Sequence, residues 1–263
     1  MAKKKKRPLK ESVEDYFEQT RKPVYSFVLV VPFLLIYEVG MIILHSAPDK
    51  PEKYRVINGA DYLIRSILSI IGVHGTFVSV VVIGVCFAVW EYRRRGGWKL
   101  DANVVGWLYA ECMLYALFLF VMPGQLFAAA AGGKAPPGLF ANIVLSCGAG
   151  VYEELVFRLI LVGLLGLAFR QLLHLDNVRA GILAVAIGAI VFSAFHYKGL
   201  LGSYGDPFAP GTSAFWRSFI FRTAAGAFFS VLFYFRSFGV AVGAHALYDI
   251  MASVALALAS AGE

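Results

Sequence analysis

Charge is scarce in this chain of 263 residues: Asp, Glu, Lys and Arg together make up 16% of it, against about a quarter of an ordinary soluble domain. Hydrophobic residues make up 59%. They fall in long uncharged runs, such as Val24 to Tyr37, instead of being interleaved with polar residues. That distribution excludes a soluble globular fold. Alternation over ten-residue segments is also missing, which argues against a membrane β-barrel. Runs of about 20 apolar residues cross a ~30 Å hydrocarbon core as helices, because lipid offers no partner to backbone N–H and C=O groups. Cysteine is equally sparse. Cys86, Cys112 and Cys147 lie in apolar runs with no CxxC or paired spacing, so neither a disulfide framework nor a zinc knuckle is expected. There is no internal repeat and no second soluble domain.

What remains is an all-α, polytopic transmembrane bundle. Spans are predicted at about 24–44, 72–91, 103–127, 139–160, 179–197, 215–235 and 239–260. Residues Tyr62 to Ile71 read as an interfacial helix. The apolar segment Ile160 to Leu173 reads as a continuation of the fourth span, a re-entrant piece or a further crossing, so the count is seven or eight. The formal charge of +7 is not a nucleic-acid footprint, since eight basic residues crowd into the stretch before position 23. Ahead of a first span, such a tail holds the N-terminus in the cytoplasm and meets anionic lipid. Val24 to Leu44 is too long for the apolar part of a signal peptide and reads as an uncleaved anchor. With the N-terminus inside, fifteen basic residues fall on the cytoplasmic side and six opposite, the sign expected for a multi-pass protein of the cell (inner) membrane. Three parts result: a basic tail over 1–23, N-terminal spans over 24–138, and a core over 139–263.

Charged groups inside lipid cost at least ~2.5–3.5 kcal/mol each on insertion scales, so every one needs a reason. The richest site is Glu153-Glu154-Leu-Val-Phe-Arg158. Glu154 and Arg158 stand four apart with the acid first, the favourable order for a helical ion pair, and arginine can grip a carboxylate with two donors. Glu153 lies ~100° further round and is free for chemistry. Next come Phe192 to His196, near the end of an apolar helix, and His245 with Asp249, on one helix face. Carboxylate and imidazole together can activate water, and imidazole can donate to an oxyanion. Of the other buried charges, Glu38 and Glu111 are expected to be neutralised across helices by Arg65 and Arg222.

The order Glu-Glu-x-x-x-Arg, Phe-x-x-x-His, His-x-x-x-Asp resembles the type II CAAX prenyl endopeptidase and bacteriocin-processing (Abi) family over about Leu139 to Ser260. The resemblance implies a glutamate-type intramembrane protease that cuts a membrane-associated protein or peptide without a covalent intermediate. It makes Glu153 the catalytic glutamate and His196 its partner in activating water. His245 and Asp249 become the oxyanion pair, and Glu154 with Arg158 the supporting ion pair. The prenyl endopeptidases proper carry Asn at the position of Asp249. A carboxylate donates only when protonated, so here Asp249 is expected to orient His245. No cofactor is expected, although Glu153, His196 and His245 offer ligand types that zinc accepts.

Two rival readings use the same residues: a transporter or proton relay, since buried Glu, His and Arg also mark ion paths, and a non-catalytic immunity or scaffold protein. The lack of an inverted repeat weighs against the transporter. One mismatch stands against convergence. At 1.5 Å per residue, Glu153 falls ~10 Å and His245 ~9 Å from the cytoplasmic ends of their spans, but His196 falls ~25 Å from its own.

Overall fold

The computed structural model describes residues 9–46, 57–70, 100–121, 138–197 and 211–261, with a few isolated positions between 72 and 92. Among the described residues there are eight helices and no strand. They are α1 (Leu9–Thr20), α2 (Pro23–His45), α3 (Gly59–Ile70), α4 (Ala102–Val121), α5 (Leu139–Leu172), α6 (Asn177–Phe195), α7 (Ser213–Phe235) and α8 (Phe238–Ala261). Six of them, α2 and α4 to α8, are long and apolar enough to cross a membrane. Most of the span expected at 72–91 lies outside the described residues, as does Cys86. Cys112 and Cys147 are free, buried thiols.

Local chemistry accounts for the helix starts. Pro23 opens α2 at the position where a missing N–H costs nothing. Asp176 caps α6 by accepting from the backbone N–H groups of Val178 and Arg179 at 3.0 and 2.9 Å, and Thr212 caps α7 through Phe215 at 3.2 Å. Helix α8 is the hub of the bundle, packed against α2, α4, α5 and α7. Small residues allow this close approach. A Cβ on Gly150 of α5 would sit 2.6 Å from the Cβ of Ala246 of α8, and one on Gly239 would meet the Cα of Ser26 at 2.5 Å.

Cross-helix bonds fix which ends lie together. Gly239 donates to Ser26 at 3.2 Å, Arg21 donates to the Phe235 carbonyl at 2.8 Å, and the Asp101 amide donates to Tyr25 at 3.2 Å. The starts of α2, α4 and α8 and the end of α7 therefore share one end of the bundle. A Cβ on Gly40, near the finish of α2, would collide with Val144 of α5, so α5 begins at the opposite end.

Buried charges in the outer helices are paired, with one difference from expectation. Glu38 meets Arg65 at 3.5 Å and accepts from Tyr152 at 2.6 Å. Glu111 is not met by Arg222. Arg236, in the α7–α8 turn, grips it instead, with 2.6 Å from Nη2 to Oε2, while Tyr16 of α1 donates to the same Oε2 at 2.7 Å. Burial first, and then this bond to a carboxylate, push the Tyr16 hydroxyl above the usual tyrosine range. The physical reason for the exchange is position: Arg236 shares an end with the α1–α2 junction, whereas Arg222 sits about 20 Å further along α7 at 1.5 Å per residue.

The segment Ile160–Leu173 is a continuation of the fourth span. Helix α5 runs unbroken for 34 residues, ~51 Å by helical rise, longer than a ~30 Å core and hence tilted or overhanging. This settles the mismatch between Glu153 and His196. Glu153 lies nineteen residues before Leu172, and His196 lies nineteen after Asn177. The legs of the α5–α6 hairpin are equal, so the two side chains arrive at one level.

Candidate active site

The middle of α5 is not regular α-helix. Ala149–Glu153 and Leu155–Val162 take the wider π form, which is rare and frequently found at functional sites. Each residue of a π turn advances the helix phase by less than in an α turn. Two consecutive acids can thus both face the interior: Glu153 and Glu154 are 8% and 0% exposed.

Around them α6, α7 and α8 supply the partners. Glu154 and Arg158 form the expected pair, with Oε1 2.9 Å from Nη1. The same Oε1 stands 2.7 Å from Nδ1 of His245, so one carboxylate takes a guanidinium and an imidazole N–H. Arg158 also donates through Nη2 to the Gly226 carbonyl at 3.3 Å. Its guanidinium carbon lies 4.2 Å from the ring centre of Phe192, within the range for cation–π attraction. Phe229 stacks on His245, with centroids 4.4 Å apart and an interplanar angle of 15°. Phe192 packs against His196 at 4.7 Å.

Glu153 faces both histidines through one oxygen. Its Oε2 is 3.5 Å from Nε2 of His196 and 4.0 Å from Nε2 of His245, spacings that suit a bridging water better than direct bonds. The other nitrogen of His196 donates to the Phe192 carbonyl at 2.8 Å. That bond selects the tautomer with Nε2 turned to Glu153. Asp249 approaches the same face, with Oδ2 3.5 Å from Nε2 of His245. Asp249, expected to orient His245, is the looser neighbour of that ring; Glu154 holds its far nitrogen more closely.

Glu153, Phe192, His196, His245 and Asp249 all line one cavity of about 260 Å³. Glu154 and Arg158 lie behind its wall. Ser218, Arg222 and Tyr248 complete the polar lining. Arg222 is held on this wall by bonds from Nη1 to Ser218 at 2.6 Å and to Tyr197 at 3.1 Å. Among the described residues, no three His, Cys, Asp or Glu side chains group as a metal cage.

One contributor escaped the sequence reading. Asn58, just ahead of α3, donates from Nδ2 to Oε1 of Glu153 at 3.0 Å. The string Asn-Gly-Ala-Asp advertises a helix cap, and Asn58 does accept from the amide of Ala60 at 2.9 Å. Nothing local tells that its free NH₂ reaches an acid 95 residues away.

Residues 135–251 match the family model described as type II CAAX prenyl endopeptidase, Rce1-like. The matched family is one of membrane proteases, and the matched segment contains Glu153, Glu154, Arg158, Phe192, His196, His245 and Asp249, while Asn58 falls outside it. No curated protein and no solved structure matches the chain.

Proposed function

With a protease-like core as the premise, we propose that this protein is an intramembrane endopeptidase that hydrolyses a peptide bond of a membrane-associated protein or peptide, using water activated by Glu153 and His196. The observation that carries the reading is a single carboxylate oxygen standing 3.5 and 4.0 Å from two imidazole nitrogens at the wall of one cavity.

The steps follow from the donors and acceptors present. Water seated between Glu153 Oε2 and His196 Nε2 gives its proton to Glu153 as its oxygen attacks the substrate carbonyl. General-base assistance of this kind contributes typically 10²–10⁴-fold. Negative charge grows on the carbonyl oxygen. His245 meets it as a doubly protonated ring, its Nδ1–H held by the Glu154 carboxylate and its Nε2–H turned to the developing charge. Collapse of the tetrahedral intermediate breaks the C–N bond, and Glu153 returns the proton to the leaving amine. Asp249 holds the Nε2 side of His245 until substrate takes its place. No step calls for a metal, so dialysis against a chelator is expected to leave turnover unchanged; loss restored by Zn²⁺ would transfer the water to a metal.

The decisive test has two parts. Membrane proteomes with and without the protein are compared for new termini, which supplies the substrate. Purified Glu153→Ala in proteoliposomes is then expected to fold and insert normally with cleavage abolished. Cleavage by that variant, or proton flux in place of cleavage by the parent protein, would overturn the reading. We further assign the site to the cell (inner) membrane, with the N-terminus cytoplasmic, on the basic residues gathered at the end where α2 and α8 begin.

A further inference from the structure

The part of the chain ahead of the matched core does more than anchor it. We propose that Asn58 is a positioning residue for the Glu153 carboxylate, and that α2 and α3 form a rigid bracket whose purpose is to present it. The inference rests on the reading of Glu153 as the base.

The bracket is built from a closed ring of polar contacts. Asn58 donates to Oε1 of Glu153 at 3.0 Å, which leaves Oε2 directed to His196 and His245. The rest of Asn58 is fully engaged. Its Oδ1 accepts from the amides of Ala60 and Asp61 at 2.9 and 3.3 Å, and its backbone N–H donates to the Tyr37 hydroxyl at 3.4 Å. Tyr37 in turn donates to Asp61 at 2.8 Å. Asp61, fully buried, receives Nε of Arg65 at 2.7 Å. Arg65 pairs with Glu38, and Glu38 accepts from Tyr152, the residue next to Glu153. The ring thus starts and ends on the π segment of α5. A buried ring with its members satisfied fixes geometry in a way that one pair does not. A base carboxylate turned through one torsion would lose the shared oxygen on which both imidazoles converge, and misplacements near 1 Å cost about 10²-fold in rate.

Two substitutions separate positioning from folding. Serine and aspartate are both good helix caps, so Asn58→Ser and Asn58→Asp keep an oxygen that caps α3 and remove the NH₂ donor. In full-length protein the carboxylate infrared band that is present in the parent and missing in Glu153→Gln belongs to Glu153. The proposal expects that band to shift in Asn58→Ser, with thermal stability within a few degrees of the parent. On an internally quenched prenylated Cys-a-a-X peptide in proteoliposomes, kcat is expected to fall roughly tenfold with KM unchanged. In Asn58→Asp the acid limb of the pH–rate profile is expected to move to higher pH. An unshifted band, or a kcat within about twofold of the parent with an unaltered pH profile, would overturn the proposal. If the peptide is not cut by the parent, the infrared band decides alone. Activity that survives in Glu153→Gln would instead sink the base assignment, so the two failures are distinguishable.

Discussion

At the scale of single residues, the Glu154–Arg158 pair carries a heavy burial cost, with side chains 0% and 1% exposed. Removing one partner of a buried pair leaves a stranded charge and costs about 3–5 kcal/mol. Arg158→Met should therefore destabilise by about that amount in reversible unfolding and lose turnover as well. The double variant Glu154→Met with Arg158→Met should recover much of the stability and none of the activity, since His245 then has no carboxylate on Nδ1. Recovery of turnover in the double variant would show that the pair only locks helices. Asp249 gives the opposite expectation. An amide in its place can donate to the oxyanion directly, so Asp249→Asn should keep turnover within a few-fold, whereas Asp249→Leu should lower it markedly in the same proteoliposome assay. The acids and imidazoles of this site were legible in the sequence because charge in lipid is expensive and so conspicuous. Asn58 was not, because an amide at a helix cap is ordinary anywhere. Arg222 was given the wrong task because charge alone does not tell which end of a helix a partner occupies; the contact of Arg236 with Glu111 depends on three helix ends meeting.

At the scale of elements, the sequence showed apolar runs but not helix length. Ile160–Leu173 carried no break signal, yet a 34-residue helix exceeds what one crossing needs, so hydropathy alone left three readings open. The equal legs of the α5–α6 hairpin, which bring Glu153 level with His196, are visible only once that helix is continuous. Nor did the sequence disclose the π form at Ala149–Glu153, since no residue pattern there distinguishes it from ordinary helix. The contact of α5 with α8 can be tested through Gly150. Any side chain there must displace Ala246, one residue from His245. Overpacking typically costs 1–3 kcal/mol, and Gly150→Leu is expected to lose about that in stability. Its loss in rate should be out of proportion, about 10²-fold, because Glu154 and His245 are driven apart. A loss in rate no larger than the loss of folded protein would show that the crossing is merely structural.

At the scale of the whole molecule, orientation decides who can be a substrate. His245 lies seven residues into α8, ~10 Å by helical rise, from the end that also carries the start of α2 and, beyond the hairpin, Arg170 and Arg179. In the proposed orientation the basic end is cytoplasmic, and a substrate segment reaches His245 from that side. Labelling tests this without a substrate. In a background with Cys86, Cys112 and Cys147 replaced, a cysteine at exposed Gln171, beside the hairpin turn, should react with an impermeant maleimide only in inverted vesicles. One at exposed Ser213, where α7 begins, should react only in right-side-out vesicles. The reverse pattern would turn the bundle over and put the start of α8 on the outer side. Substrates would then be translocated segments, and a cytoplasmic lipid-modified tail would be out of reach.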